Sequence, residues 1–398
     1  MKQVNKFLIC ENAELLKNFP KVIKEENSKT VVISGEKSAL TKNKHIDTFI
    51  AIKKIAKKDF IDQLIANEKL ISKLDGWIIW GNDELMRRVV TSNLSLEEKL
   101  RILPAKKKIG LQMLGSKVGL AKVSNRIKLN VPNTIVVKNS NELEKHIQSF
   151  PTPFIVKADR FGGGEFVKKV STMKERKELN IPKEWFPVVV QDFVLGKLVS
   201  VEGFFKDGKL IAWVSSSKTR TLGPFGASYS RTYESAQENG FELDLIRIAK
   251  ECGLNGMFNC TFISKDGKYY LIEADARPNS WHFLYSFFKI PILEIMGGSH
   301  EIPATPLTIN LKNKKVKIID LDRAIPYALS EKNYRIILES ILGVANSTQW
   351  LAGKKIKALK ILALSIFLLL LTWLPNGPLN RIKNLNVTKF MHHKIFER

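Results

Sequence analysis

The spacing of short apolar runs along the chain constrains its fold more than any other feature of the sequence. In the first hundred residues, four runs rich in Ile, Val, Phe or Trp alternate with polar stretches, and two of these stretches (11–26 and 57–74) carry apolar residues at helical spacing. Buried strands that alternate with helices predict a small parallel α/β unit. The four predicted strands are Phe7–Cys10, Thr30–Ser34, Thr48–Ile52 and Gly76–Trp80.

The region from residue 154 to residue 275 has a different pattern of predicted elements, because its strands follow one another closely. Two Asp-Gly pairs, in Lys206–Lys209 and Lys265–Lys268, favour hairpin turns. One helical stretch, Glu242–Cys252, interrupts the strands. This pattern predicts an antiparallel α+β region, with strands at Phe154–Lys157, Gly164–Val170, Val188–Asp192, Ser200–Phe205, Lys209–Ser215, Phe258–Ile263 and Tyr269–Glu273.

Composition excludes several classes of protein. With 44% hydrophobic and 26% charged residues over 398 positions, the chain is not collagen-like, disordered or a disulfide scaffold. The formal charge of +25, from 64 Lys+Arg against 39 Asp+Glu, favours an anionic partner, with a solvated basic surface as the alternative. The three cysteines lack zinc-site spacing, and the apolar run Phe7–Cys10 is too short for the core of a signal peptide. We therefore expect a reduced, cytoplasmic protein.

A phosphate-binding pattern begins at Lys157. The stretch Phe154–Val167 contains a strand, a lysine at the end of that strand, three consecutive glycines and a second strand. Glycine lets backbone N–H groups approach a phosphate closely, and a strand-end lysine adds a point charge. The alternative for this segment alone is a glycine hairpin with a solvated lysine.

Two further segments suit a nucleotide site. Val188–Gly196 is a β-branched strand followed by a short linker, whose backbone suits an adenine edge, although an ordinary buried strand is the alternative. Glu273 and Asp275 lie two residues apart at a strand end, so they project from the same face and suit Mg²⁺. Arg277 follows and suits a transferred phosphoryl group, whereas an edge strand with solvated charges is the alternative.

In this order, the lysine strand, glycine loop, linker and acidic strand ending in arginine resemble the ATP-grasp superfamily over roughly residues 1–305. The resemblance includes an N-terminal α/β unit, as in D-alanine–D-alanine ligase and carbamoyl phosphate synthetase. It implies a parallel α/β pre-ATP-grasp domain at 1–103 and a two-lobed ATP-grasp domain with antiparallel sheets at 104–308. A basic C-terminal extension would occupy 309–398.

The resemblance also implies roles for individual residues. Lysines would contact the phosphates, the three glycines would form a mobile lid, the linker would lie beside adenine, and arginines would stabilise the reacting groups. The residues so implied are, for ATP, Lys117, Lys157, Gly162, Gly163, Gly164, Gln191, Asp192, Phe193, Val194 and Glu202; for Mg²⁺, Glu273 and Asp275; and for catalysis, Arg277 and Arg220.

Three positions depart from the family pattern. Asp275 stands where the family usually has Asn, Thr261 stands where it usually has an acidic or amide metal ligand, and Leu198 stands where many members have a ribose-binding Glu. Glu202 is the candidate replacement for Leu198. These departures lead us to consider a retained fold with slow or absent turnover beside a fully active enzyme.

The activity implied by the resemblance is that of an ATP-dependent ligase. Such an enzyme activates a carboxylate as an acyl phosphate on Mg-ATP and transfers it to an amine, a thiol or another nucleophile. The alternative is a catalytically weak ATP-binding scaffold or sensor at the membrane. We expect no nucleic-acid partner, since no recognisable nucleic-acid-binding module accompanies the positive charge. Asp83 and Glu84, after the fourth predicted strand, are candidates by position for the substrate pocket.

The C-terminal extension contains an apolar segment, residues 361–374, with lysines before it and Arg381 and Lys383 after it. Its length suits a buried or interfacial segment better than a full membrane span. Peripheral contact with an anionic membrane surface at the cytoplasmic face is one interpretation. A helix that covers the nucleotide domain is the other.

Overall fold

The computed structural model describes residues 4–11, 19–25, 28–53, 59–148, 150–160, 164, 166–235, 240–311, 314–331, 333–347, 351, 355–356, 358–363 and 366. The chain divides into two compact units. The first comprises Met1–Ser215 and Ala236–Asn310, and the second comprises Ser216–Ser235 and Leu311–Arg398. The domain boundaries expected after residues 103 and 308 stay a prediction.

The N-terminal part of the first unit is built on a four-stranded parallel sheet, as the apolar runs predict. Its strand order is β3-β2-β1-β4, and all three pairings are parallel. Strands β1, β2 and β4 are buried along most of their length because helices pack against them, whereas the edge strand β3 is mostly half-buried. The elements are β1 (Val4–Cys10), α1 (Phe19–Ile23), β2 (Ser28–Gly35), β3 (Thr48–Ile52), α2 (Phe60–Ala66), α3 (Glu68–Ser72) and β4 (Trp77–Trp80).

Four short helices follow β4, where the sequence pattern suggests a longer helical stretch with one break at Pro104. Local capping explains the extra breaks: Ser95 forms a capping box with Glu98, and Ser116 caps the last helix. Gly115, just before that cap, has φ of +64°, which ends the preceding turn. The helices are α4 (Asp83–Thr91), α5 (Leu96–Ile102), α6 (Lys108–Leu111) and α7 (Lys117–Arg126).

A second, antiparallel sheet of the first unit contains the lysine strand. Its order is β5-β8-β6-β7, with a separate apolar core beneath it. Asn139 caps the helix that the sequence predicts at this point. The elements are β5 (Thr134–Val137), α8 (Ser140–Ile147), β6 (Phe154–Ala158), β7 (Val167–Val170), α9 (Met173–Lys177), a 3₁₀ turn (Lys183–Trp185) and β8 (Val188–Asp192).

The third sheet of the first unit is also antiparallel and contains the acidic strand. Both predicted Asp-Gly hairpins form, with positive φ at Asp207, Gly208, Asp266 and Gly267. The strand order is β13-β12-β9-β10, and a helix packs against it. The elements are β9 (Lys197–Lys206), β10 (Lys209–Thr221, of which residues 209–215 belong here), α10 (Phe241–Cys252), β12 (Gly256–Lys265), β13 (Lys268–Asp275), α11 (Leu284–Phe287) and α12 (Ile292–Gly297).

The second compact unit contains two strands that the sequence analysis did not identify. In it, residues 216–221 of β10 pair with β11, and β11 pairs with β14. Tyr229 and Ile319 belong to its apolar core. The elements are β11 (Ser228–Tyr233), β14 (Val316–Ile319), α13 (Leu321–Ser330), α14 (Tyr334–Leu342) and a 3₁₀ turn (Val344–Asn346).

Most of the apolar segment 361–374 lies outside the described residues, which include only 361–363 and 366 of it. Within the part of the chain that the structure describes, no helix is long and apolar enough to span a membrane. Contact of the segment with a membrane surface stays a prediction.

Candidate active site

The ammonium group of Lys157 lies where the second and third sheets of the first unit meet. Lys157 Nζ donates to Gln191 Oε1 (2.9 Å) on β8 and to the backbone carbonyl of Ile272 (3.3 Å) on β13. The amide of Gln191 in turn donates to Thr134 Oγ1 (2.9 Å) on β5. This chain of hydrogen bonds fixes the lysine head directly beside the acidic strand.

A β-bulge explains why the Ile272 carbonyl is free to accept this bond. Thr261 pairs with Glu273 and Phe262 pairs with Leu271, so Ile272 is an extra residue in β13. An extra residue in a bulge leaves the ladder locally, and its backbone groups become available to other partners. The bulge therefore gives the second sheet an attachment point next to Glu273.

Burial sets the acidity of Lys157. Its pKa falls from 10.5 to about 8, mainly through desolvation by burial; Glu273 opposes this change and Lys117 adds to it. Because burial disfavours the charged form, the ammonium gains most from an additional anion at this position. Such a lysine suits a phosphate ligand.

Glu273 and Asp275 share one face of β13, as the sequence predicts. They lie opposite Thr261 and Asn259 of β12, respectively. Burial raises the pKa of Asp275 to about 8, with Asp83 and Glu273 adding to the rise and Arg277 and Lys117 opposing it. A carboxylate buried among other carboxylates is stabilised by a cation.

Arg277 lies between the carboxylates of Asp83, at the start of helix α4, and Asp275, at the end of strand β13. Its Nε donates to Asp83 Oδ2 and its Nη2 donates to Asp275 Oδ2 (3.2 Å). Burial works against the charged guanidinium, but Asp83, Asp275 and Glu273 outweigh it and raise the pKa of Arg277. Asp83, expected near the substrate pocket from its position alone, thus contacts the predicted catalytic arginine.

The start of α7 is anchored against the lysine strand. Asp159, which follows β6, accepts from Ser116 Oγ (2.8 Å) and from the Val118 N–H (2.8 Å). These two bonds hold Lys117, the first residue of α7, close enough to affect the pKa of both Lys157 and Asp275. Both predicted phosphate lysines therefore lie near the acidic strand.

The predicted adenine segment, residues 191–194, is partly engaged in the protein's own hydrogen bonds. The Asp192 N–H donates to the Asn133 carbonyl (3.0 Å) and the Phe193 N–H donates to the Pro153 carbonyl (3.2 Å). The Phe193 ring lies under Lys169 Nζ, 3.8 Å from its centroid. These two backbone N–H groups are therefore already bonded, and the adenine role of residues 191–194 stays a prediction.

A row of polar side chains crosses the third sheet at the level of Asp275. Asn259 lies directly opposite Asp275 on one side and Glu202 on the other. Glu202 is fully buried; it accepts from Asn279 Nδ2 (3.4 Å), and its backbone carbonyl accepts from Tyr285 Oη (2.6 Å). The sequence analysis includes Asn259 in the predicted strand Phe258–Ile263 but gives it no role. The available signal was its position two residues before Thr261, which places both side chains on the same face of the strand.

Other predicted site residues lie elsewhere or outside the described chain. Arg220 belongs to the second compact unit, where it pairs with Glu339 (2.9 Å). Gly162 and Gly163 are outside the described residues, and Gly164 has φ of +78°, which favours glycine. The roles given to these residues stay predictions.

The donor set at Glu273 and Asp275 fits a single hard cation that also binds phosphate. Within the described ranges, no group of three or more His, Cys, Asp or Glu side chains is placed to hold a metal. Magnesium in nucleotide sites is usually held by one or two carboxylates together with phosphates and water. Asn259 Oδ1, buried beside Asp275 and without a hydrogen bond among the described residues, adds a neutral oxygen donor to the same face.

Comparisons with known proteins agree with this geometry. Residues 114–280 match the family described as "ATP-grasp domain". A search of curated protein sequences finds no match.

Solved structures share the fold over most of the chain. N5-carboxyaminoimidazole synthetase from Staphylococcus aureus, complexed with ADP, has a TM-score of 0.59 at 17% identity and covers 84% of this chain and 87% of its own. Phosphoribosylglycinamide synthetase from Anaerococcus prevotii has a TM-score of 0.53 at 17% identity, covering 79% and 81%. A biotin carboxylase–β,γ-ATP complex from Campylobacter jejuni has a TM-score of 0.54 at 18% identity, covering 77% and 73%.

The order of the motifs and the facing lysine and acidic strands agree with this family match. Residues 114–280 of the chain are similar to the ATP-grasp domain family.

Proposed function

We propose that the protein is an ATP-dependent ligase that activates a carboxylate as an acyl phosphate and transfers the acyl group to an amine or another nucleophile. One observation carries the proposal. Lys157 Nζ lies 3.3 Å from the Ile272 carbonyl, and this contact joins the phosphate-binding half of the motif to the metal-binding half. Two of the similar structures, the Staphylococcus aureus synthetase and the Campylobacter jejuni carboxylase, were solved with adenine nucleotides.

Glu273 and Asp275 would hold Mg²⁺, which supplies charge neutralisation for the phosphates when bound. Lys157 and Lys117 would bind phosphate oxygens from the opposite side. The two lysines and Arg277 lie near the carboxylates of Glu273 and Asp275. A phosphate and a metal ion bound together would therefore neutralise both sets of charges. Phosphoryl transfer depends on such positioning and charge stabilisation more than on a covalent side chain.

Arg277 would neutralise the acyl phosphate and the intermediate that follows attack by the nucleophile. Asp83 accepts from its Nε and Asp275 accepts from its Nη2, so the two carboxylates fix the plane of the guanidinium, and Nη1 would face a substrate. Asp83 is the first residue of α4, directly after β4. We therefore place the carboxylate substrate near the carboxyl end of the parallel sheet, where ligands of open sheets bind.

The test is ADP release by purified protein, screened with a panel of carboxylates and a panel of amines and thiols. Lys157→Met is expected to lower the stimulated rate by about 10²–10³-fold, the usual cost of removing one preorganised charge from such a site. Lys168→Met, on the neighbouring strand with an exposed side chain, is the matched control and should retain the rate.

The outcomes separate the two readings of the fold. ATP binding that depends on Lys157, with no ADP release for any pair of substrates, would favour the nucleotide-binding scaffold. Absence of ATP binding to the wild-type protein would contradict both.

A further inference from the structure

The side chain of Asn259 is buried at the candidate active site, and its amide oxygen accepts no hydrogen bond from the described residues. Its exposed fraction is 8%, and its Oδ1 makes no hydrogen bond within the described residues. Leaving a buried polar atom unsatisfied costs about 1–3 kcal/mol, so such atoms call for a specific explanation. A ligand that completes the site is one such explanation.

The strand register places this oxygen donor on the metal-binding face. Asn259 is directly opposite Asp275 in the β12–β13 ladder, and Thr261 is directly opposite Glu273. Residues directly opposite each other in an antiparallel pair project to the same side, with Cβ atoms about 4.5–5.5 Å apart. Asn259 therefore neighbours Asp275, whereas Cys260, which lies between Asn259 and Thr261 in β12, points to the other face.

The carboxylates alone leave the coordination of a metal incomplete. Mg²⁺ demands near-octahedral oxygen coordination, and in the described part of the chain no third acidic, histidine or cysteine side chain joins Glu273 and Asp275. Amide and carbonyl oxygens are suitable neutral ligands for hard cations. The neighbouring hydroxyl of Thr261 is the competing donor.

We propose that Asn259 supplies a protein oxygen ligand to the divalent cation at Glu273 and Asp275, in place of a ligand at position 261. The inference rests on the proposed function, because it concerns the metal of the same site. An amide adds no negative charge, which suits a site where Asp275 already brings a carboxylate.

The experiment measures metal binding directly on the full-length, nucleotide-free protein. Mn²⁺ is titrated in, and the free ion is counted from its electron paramagnetic resonance signal. Asn259→Leu, of similar size, is expected to weaken Mn²⁺ binding by about tenfold or more, since even outer-shell partners of metal ligands cost 10–100-fold. Thr261→Val, the matched control on the same face, is expected to bind Mn²⁺ within about twofold of the wild type, because it removes only a hydroxyl that the proposal leaves unused.

A second variant covers the case in which Asn259→Leu does not fold. Asn259→Asp retains the shape of the side chain and adds a negative charge, so this variant should bind Mn²⁺ more tightly than the wild type does. Mn²⁺ should therefore raise the melting temperature of the variant by more than it raises that of the wild type. Loss of binding in Thr261→Val with normal binding in Asn259→Leu would overturn the proposal. So would unchanged Mn²⁺ binding in both Asn259 variants, or no Mn²⁺ binding by a wild-type protein that binds ATP.

The proposed ligase function is judged separately by ADP release. Normal Mn²⁺ binding through Asn259 without turnover would contradict the function and support the ligand assignment. Turnover by the wild-type protein, together with Mn²⁺ binding that is unchanged by the Asn259 substitutions, would support the function and contradict the ligand assignment.

Discussion

Gly115 offers a sharp test of how the first sheet is coupled to the candidate active site. It precedes α7 with φ of +64°, and a Cβ added there would lie 2.3 Å from the Asp83 carbonyl oxygen. Gly115→Ala therefore combines backbone strain with a clash against the backbone of a residue that contacts Arg277. We expect the variant to lose stability and to bind nucleotide more weakly.

The two costs can be separated with a matched control. Gly267 has φ of +75° in the same compact unit, but no atom of the residues that the structure describes lies within 4 Å of an added Cβ. Alanine in the left-handed conformation costs about 1–2 kcal/mol, and this applies to both sites. Overpacking costs a further 1–3 kcal/mol, roughly, and applies only to Gly115→Ala. Effects of alanine on the unfolded chain are similar in both variants and cancel in the comparison.

The assay is chemical denaturation of both variants together with calorimetric titration of ADP. Gly115→Ala should be the less stable variant by about 1–3 kcal/mol and should bind ADP more weakly than Gly267→Ala, since relief of the clash displaces the start of α7, where Lys117 lies. Equal losses of stability, or ADP binding that is identical in the two variants, would refute the coupling.

Three further predictions follow from the site and the core. Because burial lowers the pKa of Lys157 to about 8 and bound phosphate favours its charged form, ADP affinity should fall as pH rises from 7 to 9, and Lys157→Met should remove this dependence. Burial raises the pKa of the Cys10 thiol to about 11, of the Cys252 thiol to about 12 and of Cys260 further, so all three should resist thiol reagents in the native protein and react on unfolding. Asp83→Asn should lower the rate of ADP release while ADP affinity stays within about threefold, because the side chain contacts Arg277 and lies in a different element from both lysines.

Local chemistry explains which parts of the fold could be predicted from sequence. The Asp-Gly hairpins and the Asn139 cap depend on adjacent residues, and both form where the sequence predicts them. Glu273 and Asp275 share a face because strand geometry alone places them there. The short strands β11 and β14 were missed because β14 is only four residues long and includes Lys317, and their pairing depends on residues far apart in sequence.

The partners of the site residues depend on how the sheets meet, which periodicity does not encode. The contact of Lys157 with the Ile272 carbonyl needs a bulge in β13, and the contact of Arg277 with Asp83 spans 194 positions of sequence. The position of Asn259 opposite Asp275 follows only once the strand register is known. Sequence therefore predicts which charged groups belong to the candidate site but not the contacts that orient them.

The apolar interior of the first unit has a practical consequence for anyone who dissects this chain. Ile9 and Trp80 of the first sheet share one continuous core with Phe258 and Leu271 of the third. The Trp77 indole also donates across the unit to the Met296 carbonyl (2.8 Å). A fragment limited to the matched stretch, residues 114–280, would expose a large apolar surface and would also lack Asp83. The stretch that matches the ATP-grasp domain family is thus shorter than the smallest fragment expected to fold with its core covered.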